Sequence, residues 1–307
     1  MPLPATFPDL QSLDLFVSVI EVGSVSQAAA AHGVTQPSAS SRIKHLERQL
    51  GMQLLERGPG GSRPTDAGVV VAGWAEGILR AAHELSAGLS AFQAEQTGRL
   101  RIAASFTVAE YLLPQWLDRF SRDHPSDSIA LEVANSTAVV ERLGQGTADL
   151  GFIETPSSLD GFDEVVVAHD DLVTVVAPSH PWAERRSVPV EALAATPLVM
   201  REAGSGTREA LEAALGALDL GAPTAVLELG STSAVRAAVL HGNAPTVISR
   251  LAVAAEVAAG QLVEIAVASL VITRELRAVW PSGGELPPLA RALLDDVVPL
   301  PLPPSAP

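Results

Sequence analysis

The chain has 307 residues, 47% of them hydrophobic, no cysteine and a formal net charge of −15. That length buries a sizeable core and divides into two or three compact units. The missing cysteines exclude disulfide frameworks, thiolate nucleophiles and Cys-ligated zinc. So acidic a surface repels a phosphate backbone, which makes the position of the charges more telling than their sum. Residues 1–66 carry five Lys/Arg against six Asp/Glu, whereas residues 67–307 carry fifteen against twenty-nine. No stretch reads as a signal peptide or a bilayer span, so a cytoplasmic chain is expected.

In chain order, Leu10, Leu13, Phe16, Val17 and Ile20 follow helical spacing and predict a first helix from about Asp9 to Val22, stopped by Gly23. Ser24 or Ser26 caps a short alanine-rich second helix that ends at His32-Gly33. Thr35 then reads as an N-cap with Pro37 in the first turn, and the third helix runs to about Leu50. On it Ala39, Ile43, Leu46 and Leu50 form one apolar stripe, leaving Gln36, Ser40, Ser41, Lys44 and Arg48 on the other face. Gln and Ser reach base edges in a major groove, and Lys and Arg fix register on phosphates. An ordinary solvated face is the alternative. Two helices joined by a tight Gly turn favour a helix-turn-helix. The "RGPGGSRPT" that follows lacks the Lys-Ser/Thr of a phosphate loop and reads as a hairpin.

From Thr65 to about Phe92 there is no proline, and Val71, Trp74, Ile78, Ala81, Leu85 and Phe92 fall on a three-four repeat, predicting a helix of about 40 Å that pairs with a second copy. "EQTGR", Glu95 to Arg99, reads as a hinge. Thereafter strand-like and helix-like runs alternate, the rhythm of a parallel sheet with covering helices, whose ligands bind beyond the carboxyl ends of the strands. Those ends carry Ser105-Phe106-Thr107, Asn135-Ser136-Thr137 and Glu154-Thr155. Two later helices open on Gly204-Ser205-Gly206-Thr207, preceded by Arg201, and on Ser231. Each alone is an ordinary cap; several helix N-termini dressed with hydroxyls in one place suit an anion. Glu154 and Glu202 would instead favour an amine if they enter the same cleft.

The run "LDLFVSVIEVGSVSQAAAAHGVTQPSASSRIKHLERQLGMQLLERGPGGSRPTDAG" resembles the N-terminal winged helix-turn-helix of the LysR-type transcriptional regulators, and a weaker resemblance covers nearly the whole remainder. It implies an α/β chain in three parts. Residues 1–66 form an all-α winged helix-turn-helix for DNA, and 67–95 a linker helix for dimerisation. Residues 96–307 form a periplasmic-binding-protein-like effector domain with subdomain I at about 99–168 and 272–303 and subdomain II at about 169–271. The DNA-contacting set is Thr35, Gln36, Pro37, Ser40, Ser41, Arg42, Lys44, Arg48, Arg57 and Arg63; the effector set is the strand-end and helix-start residues just named. The family usually shows Ser-Arg-Gln-Ile where this chain has Ser40-Ser41-Arg42-Ile43, so the arginine is displaced by one position. Gly60 stands in the wing where an arginine is common. "GSGTR" resembles the sulfur-assimilation and carbon-fixation branch, whose effectors include small anions and phosphorylated metabolites. "HGNAP", His241 to Pro245, departs from the family's Gly-x-Gly-Ile wall.

The implied partners are double-stranded promoter DNA, a small anionic effector and a homodimer or homotetramer, with RNA polymerase as a further candidate and no membrane. No cofactor and no metal are expected, since the seven histidines show no ligand spacing. No Gly-x-Ser-x-Gly elbow or Gly-x-x-x-x-Gly-Lys loop argues for an enzyme. A small-molecule-binding enzyme or solute-binding protein on the same two-lobed fold is the alternative, though an enzyme would not need the first 66 residues and a transport component would need an export signal, of which none is read.

Overall fold

The computed structural model describes residues 4, 7–58, 61–97, 99–242, 244–283 and 286–297. The chain divides into two compact units, Met1–Leu85 and Ser86–Pro307.

The first unit begins with α1 (Leu10–Val22), α2 (Val25–Ala31) and α3 (Gln36–Leu50). Each starts on a side chain that accepts a backbone N–H: Asp9 from Ser12, Ser24 from Gln27 and Thr35 from Ser38. Of the two serines considered for α2, Ser24 is the cap. Leu13, Phe16, Ala28, Ala39, Ile43 and Leu46 are buried together, so all three helices share one core. Strands β1 (Leu55–Gly58) and β2 (Gly61–Pro64) pair antiparallel, with Glu56 opposite Arg63, as a hairpin. Gly60 lies outside the described residues, as does the side chain of Arg57.

Helix α4 (Asp66–Thr97) follows and runs through Glu95–Thr97, where a hinge was expected. The expected single seam also splits. Val71 and Ile78 pack into the core of the first unit, whereas Trp74 and Leu85 are 69% and 66% exposed. At about 100° per residue all four lie within about 60° of one another around the helix, so the period does not separate them; what each position finds to pack against does. The Phe92 side chain is outside the described residues.

The second unit contains β3 (Arg99–Ser105), α5 (Phe106–Tyr111), α6 (Leu113–Asp123), β4 (Ser128–Ala134), α7 (Ser136–Gly144) and β5 (Leu150–Ile153). The helical run after β3 breaks at Leu112 because Pro114 opens α6 and has no N–H to continue α5. β6 (Phe162–Val176), β7 (Ser187–Pro189), α8 (Val190–Ala195), β8 (Leu198–Arg201), α9 (Gly206–Gly216), β9 (Ala225–Leu229) and α10 (Thr232–His241) come next. The unit closes with β10 (Thr246–Ser249), α11 (Arg250–Ala258), β11 (Val263–Ala268), β12 (Ile272–Pro281) and α12 (Pro288–Val297).

β3, β4 and β5 are parallel, but the long β6 and β12 run antiparallel to each other, so the sheet is mixed rather than all-parallel. These two strands belong to two hydrophobic cores. Val167, Leu276 and Ala278 join Leu100, Phe152 and Leu293 in one lobe. Leu172, Val176 and Ile272 join Leu193, Met200 and Leu211 in the other. The strands change cores where Asp170 lies opposite Arg274.

Candidate functional site

Two surfaces carry the predicted residues. On α3, Gln36, Pro37, Ser41, Lys44 and Arg48 are exposed, Ser40 is half-buried, and Thr35 is the exposed N-cap. Arg63 is exposed on β2. Arg42 sits about 160° around the helix from both Ser40 and Lys44 by helical geometry. It faces Asp9 instead: partial burial raises that carboxyl, but the Ser12 bonds and the Arg42 charge bring it below its usual range. Arg42 therefore occupies the flank of α3 next to the start of α1. Glu47 is not a free counter-charge, because its carboxylate accepts the Leu54 and Leu55 N–H groups at 2.9 and 3.2 Å and ties α3 to the hairpin. Sequence reading missed that role.

The second surface is the junction of the two lobes. Arg274, whose side chain is 2% exposed, donates from Nε and Nη2 to Asp170 Oδ2 at 3.0 and 2.7 Å. Its Nη1 donates to Thr207 Oγ1 at 3.0 Å and its Nη2 to Thr107 Oγ1 at 3.1 Å. Glu154, equally buried, lies 3.4 Å from Arg274 Nη2 and accepts Ser105 Oγ and Thr207 Oγ1 at 3.3 and 3.2 Å. Ser136 Oγ accepts the Glu154 N–H at 3.2 Å, and Ser249 Oγ donates to Asp170 at 2.9 Å. Burial pushes the Asp170 carboxyl up despite Arg274. Ser105, Thr107, Ser136, Glu154 and Thr207 thus share one buried network that holds two carboxylates and one guanidinium.

A second cluster lies beside it. The Arg201 guanidinium pairs with Glu202 at 2.8 and 2.9 Å, donates to Thr232 at 3.1 Å and stacks 4.5 Å from the Phe106 ring centre. Burial alone would raise the Glu202 carboxyl, but Arg201 holds it below its usual range. Asn135 caps α7 and donates to Glu202 Oε1 at 3.2 Å. The Thr137 N–H donates to the Gly204 carbonyl at 3.2 Å, and Thr155 bonds Glu209. Only glycine fits at two of these points: a Cβ at 204 would meet Thr137 Oγ1 at 2.9 Å, and one at 206 would meet the Glu154–Thr155 main chain at 2.6 Å. Between them the Ser205 hydroxyl is buried with no partner. Farther off, Arg236 donates to Tyr111 and the Ala252 carbonyl and pairs with Glu256, a third tie between the lobes.

Ser231 is separate from these clusters: it caps α10, and its neighbour Thr232 receives Arg201. Arg208 points to Glu212 and Glu228. Asn243, within the departing wall, is outside the described residues. Arg274, Asp170 and Ser249 were not among the predicted effector residues. The signal for Arg274 was a charge set inside the apolar run "VITRELRAVW". Among the described residues no group of three or more His, Asp or Glu could hold a metal ion, and no helix is long and apolar enough to cross a membrane.

Residues 10–69 match the model of the bacterial regulatory helix-turn-helix protein, lysR family, and residues 93–298 match the LysR substrate binding domain. The chain is 42% identical to the HTH-type transcriptional regulator Rv2282c of Mycobacterium tuberculosis, over 94% of this chain and 95% of that one. It is 34% identical to the HTH-type transcriptional regulator YeiE of Escherichia coli, over 88% and 89%. The Synechocystis PCC6803 CcmR regulatory domain, solved in complex with 2-PG, superposes with a TM-score of 0.59 at 27% identity, covering 65% of this chain and 95% of that one. Two family matches in succession and relatives that are named regulators along nearly their whole length show that the chain belongs to the LysR family of DNA-binding transcriptional regulators.

Proposed function

We propose that this regulator reads promoter DNA in the cytoplasm with α3 and the β1–β2 hairpin, and that a small oxyanion bound between the two lobes modulates that binding. Gln36, Ser40 and Ser41 serve base edges, with Thr35 and Pro37 setting the start of the helix. Lys44, Arg48, Arg57 and Arg63 serve phosphates, and Arg42 acts from the flank. Residues 1–66, 67–95 and 96–307 divide the labour as head, linker and sensor. Homo-oligomerisation is supported by exposed apolar side chains. Val70, Trp74, Leu85 and Leu89 on α4 are each more than half exposed, and Leu131 and Val133 on β4 and Val226 and Leu227 on β9 stand open on strands. Surfaces of this kind mark interaction sites in folded proteins.

One observation carries the effector reading. Hydroxyls from three separate segments, Ser105 and Thr107 where β3 meets α5, Ser136 on α7 and Thr207 on α9, converge with Arg274 beside the start of α9, where Ser205 has no partner. Thr107 and Ser136 use their oxygens as acceptors there, which leaves their hydrogens to give. Donors fixed in a buried place hold an anion strongly because bonds to a charged acceptor exceed neutral ones. The bound ligand of the CcmR domain, 2-PG, lends support by analogy. Calorimetry of the full chain with anions, amines and neutral metabolites tests the proposal. Anion binding that Thr107→Ala and Thr207→Ala each weaken supports it; binding confined to amines, drawn by Glu154, Asp170 and Glu202, removes it.

A further inference from the structure

The anion reading leaves a charge imbalance at the centre of the cleft. Glu154 and Asp170 present two carboxylates to one guanidinium, that of Arg274. Arg274 lies nearer Asp170, at 2.7 Å, than Glu154, at 3.4 Å. Glu154 is held chiefly by two long hydroxyl bonds of 3.2 and 3.3 Å, from Thr207 and Ser105. Its contacts are Ser105 at the end of β3, Ser136 on α7, Thr207 on α9 and Arg274 on β12; Asp170 on β6 shares Arg274, and Glu202 and Glu209 are committed to Arg201 and Thr155. Gly206 rests directly on Glu154, so an anion at the start of α9 would lie against that carboxylate.

Two anionic oxygens in a dry site repel each other unless a proton lies between them, and a buried carboxylate can only accept. We propose that Glu154 is the specificity-determining residue of the cleft and selects an oxyanion that carries its own proton. The Glu154 carboxylate accepts a hydrogen bond from the ligand's O–H, while Ser205, Thr107 and Ser136, whose hydrogens are uncommitted, donate to its charged oxygens. Such an O–H···O⁻ bond is short and strong. A fully deprotonated oxyanion of the same size leaves Glu154 facing a like charge with nothing to accept, and a site built around one hydrogen bond rejects a ligand lacking it steeply. Selection is therefore by acidity: weak-acid oxyanions enter and strong-acid ones are refused.

This inference rests on the anion reading, and the test separates the two. Inorganic phosphate and sulfate are both tetrahedral and close in size, but near neutral pH phosphate keeps at least one proton and sulfate none. Calorimetry of the full-length protein with each, at about pH 7, should show phosphate binding at least about tenfold more tightly than sulfate. In Glu154→Gln the amide can donate to a deprotonated oxygen, so sulfate should gain and the ratio should fall by about tenfold or reverse. The wild-type ratio needs no variant, so a Glu154→Gln chain that fails to fold leaves the selectivity still measurable. Equal affinity for the two anions, or a ratio unchanged in a folded Glu154→Gln protein, overturns the role of Glu154 and leaves the anion reading standing. Binding of neither anion overturns both.

Discussion

The polar face of α3, proposed to read DNA, and the cleft between the lobes are opposite solutions to presenting polar groups. On α3 the apolar residues Ala39, Ile43 and Leu46 turn inward, and the side chains proposed to meet DNA are held out in water. In the cleft the polar groups are themselves the interior: Arg274, Asp170, Glu154, Thr107 and Thr207 are all buried and satisfied mainly by one another. A surface that waits for a large charged partner can leave its cations hydrated. A cleft that must close without its ligand has to supply internal partners for its buried charges, and here only a few hydroxyls such as Ser205 are left over. The difference teaches that the head is specified by periodicity and the cleft by long-range pairing.

The largest expected effect breaks the comparison if it fails. Arg274→Ala leaves Asp170 and Glu154 buried without a counter-charge and should cost about 3–5 kcal/mol of effector-unit stability in urea unfolding. Arg122→Ala removes an exposed pair with Asp118 and should produce no measurable change. A cost for Arg274→Ala no greater than for Arg122→Ala would mean that the cleft is as solvated as the α3 surface. Next in size, Gln36→Ala should lower discrimination between specific and random duplexes by about 1–3 kcal/mol. Arg63→Ala should weaken all duplexes alike and reduce the salt slope by about 1. Equal losses on both duplexes for Gln36→Ala would count against base reading.

These effects track what could be read before the structure was known. The spacing of Leu13, Phe16, Ile43 and Leu46, with Ser24 and Thr35 as caps, carried the head because helical period and capping are local. A sheet with covering helices followed from alternating runs, the two lobes only from the family resemblance, and the strand-end hydroxyls were visible as candidates. Arg274 was not, since its partners lie 104 and 67 residues away at Asp170 and Thr207. Nothing local in "VITRELRAVW" says whether its arginines are bare or paired. The face of α4 also failed from sequence, because Val71 and Trp74 share a three-four repeat yet only Val71 meets a core.

Smaller effects sharpen the same contrast. Thr35→Ala removes a long cap bond of 3.4 Å at the start of α3 and should cost about 1 kcal/mol of head stability without touching the effector unit. A comparable loss in the effector transition would show that the two are not independent. Smallest is a pH effect. Arg201 holds the Glu202 carboxyl below its usual range against the opposing effect of burial. Its contribution to stability is thus complete above the unfolded-state value and is lost as pH falls through the lowered folded-state value. Glu202→Gln should flatten that acid limb in melts across the carboxylate range and leave the neutral plateau's slope unchanged; an unaltered acid limb would contradict the assignment.

The central claim is that a ligand in the buried cleft governs what the exposed head does on DNA. It is tested most directly by the affinity of the full-length protein for a duplex recovered from its bound genomic DNA. Fluorescence anisotropy would follow that duplex with and without inorganic phosphate and a panel of small phosphorylated and carboxylated anions. At least one anion should change the affinity by about fivefold or more in the wild type, within the usual span of coupling between sites, and by far less in Thr207→Ala. No change with any anion, or the same change in both proteins, would contradict it.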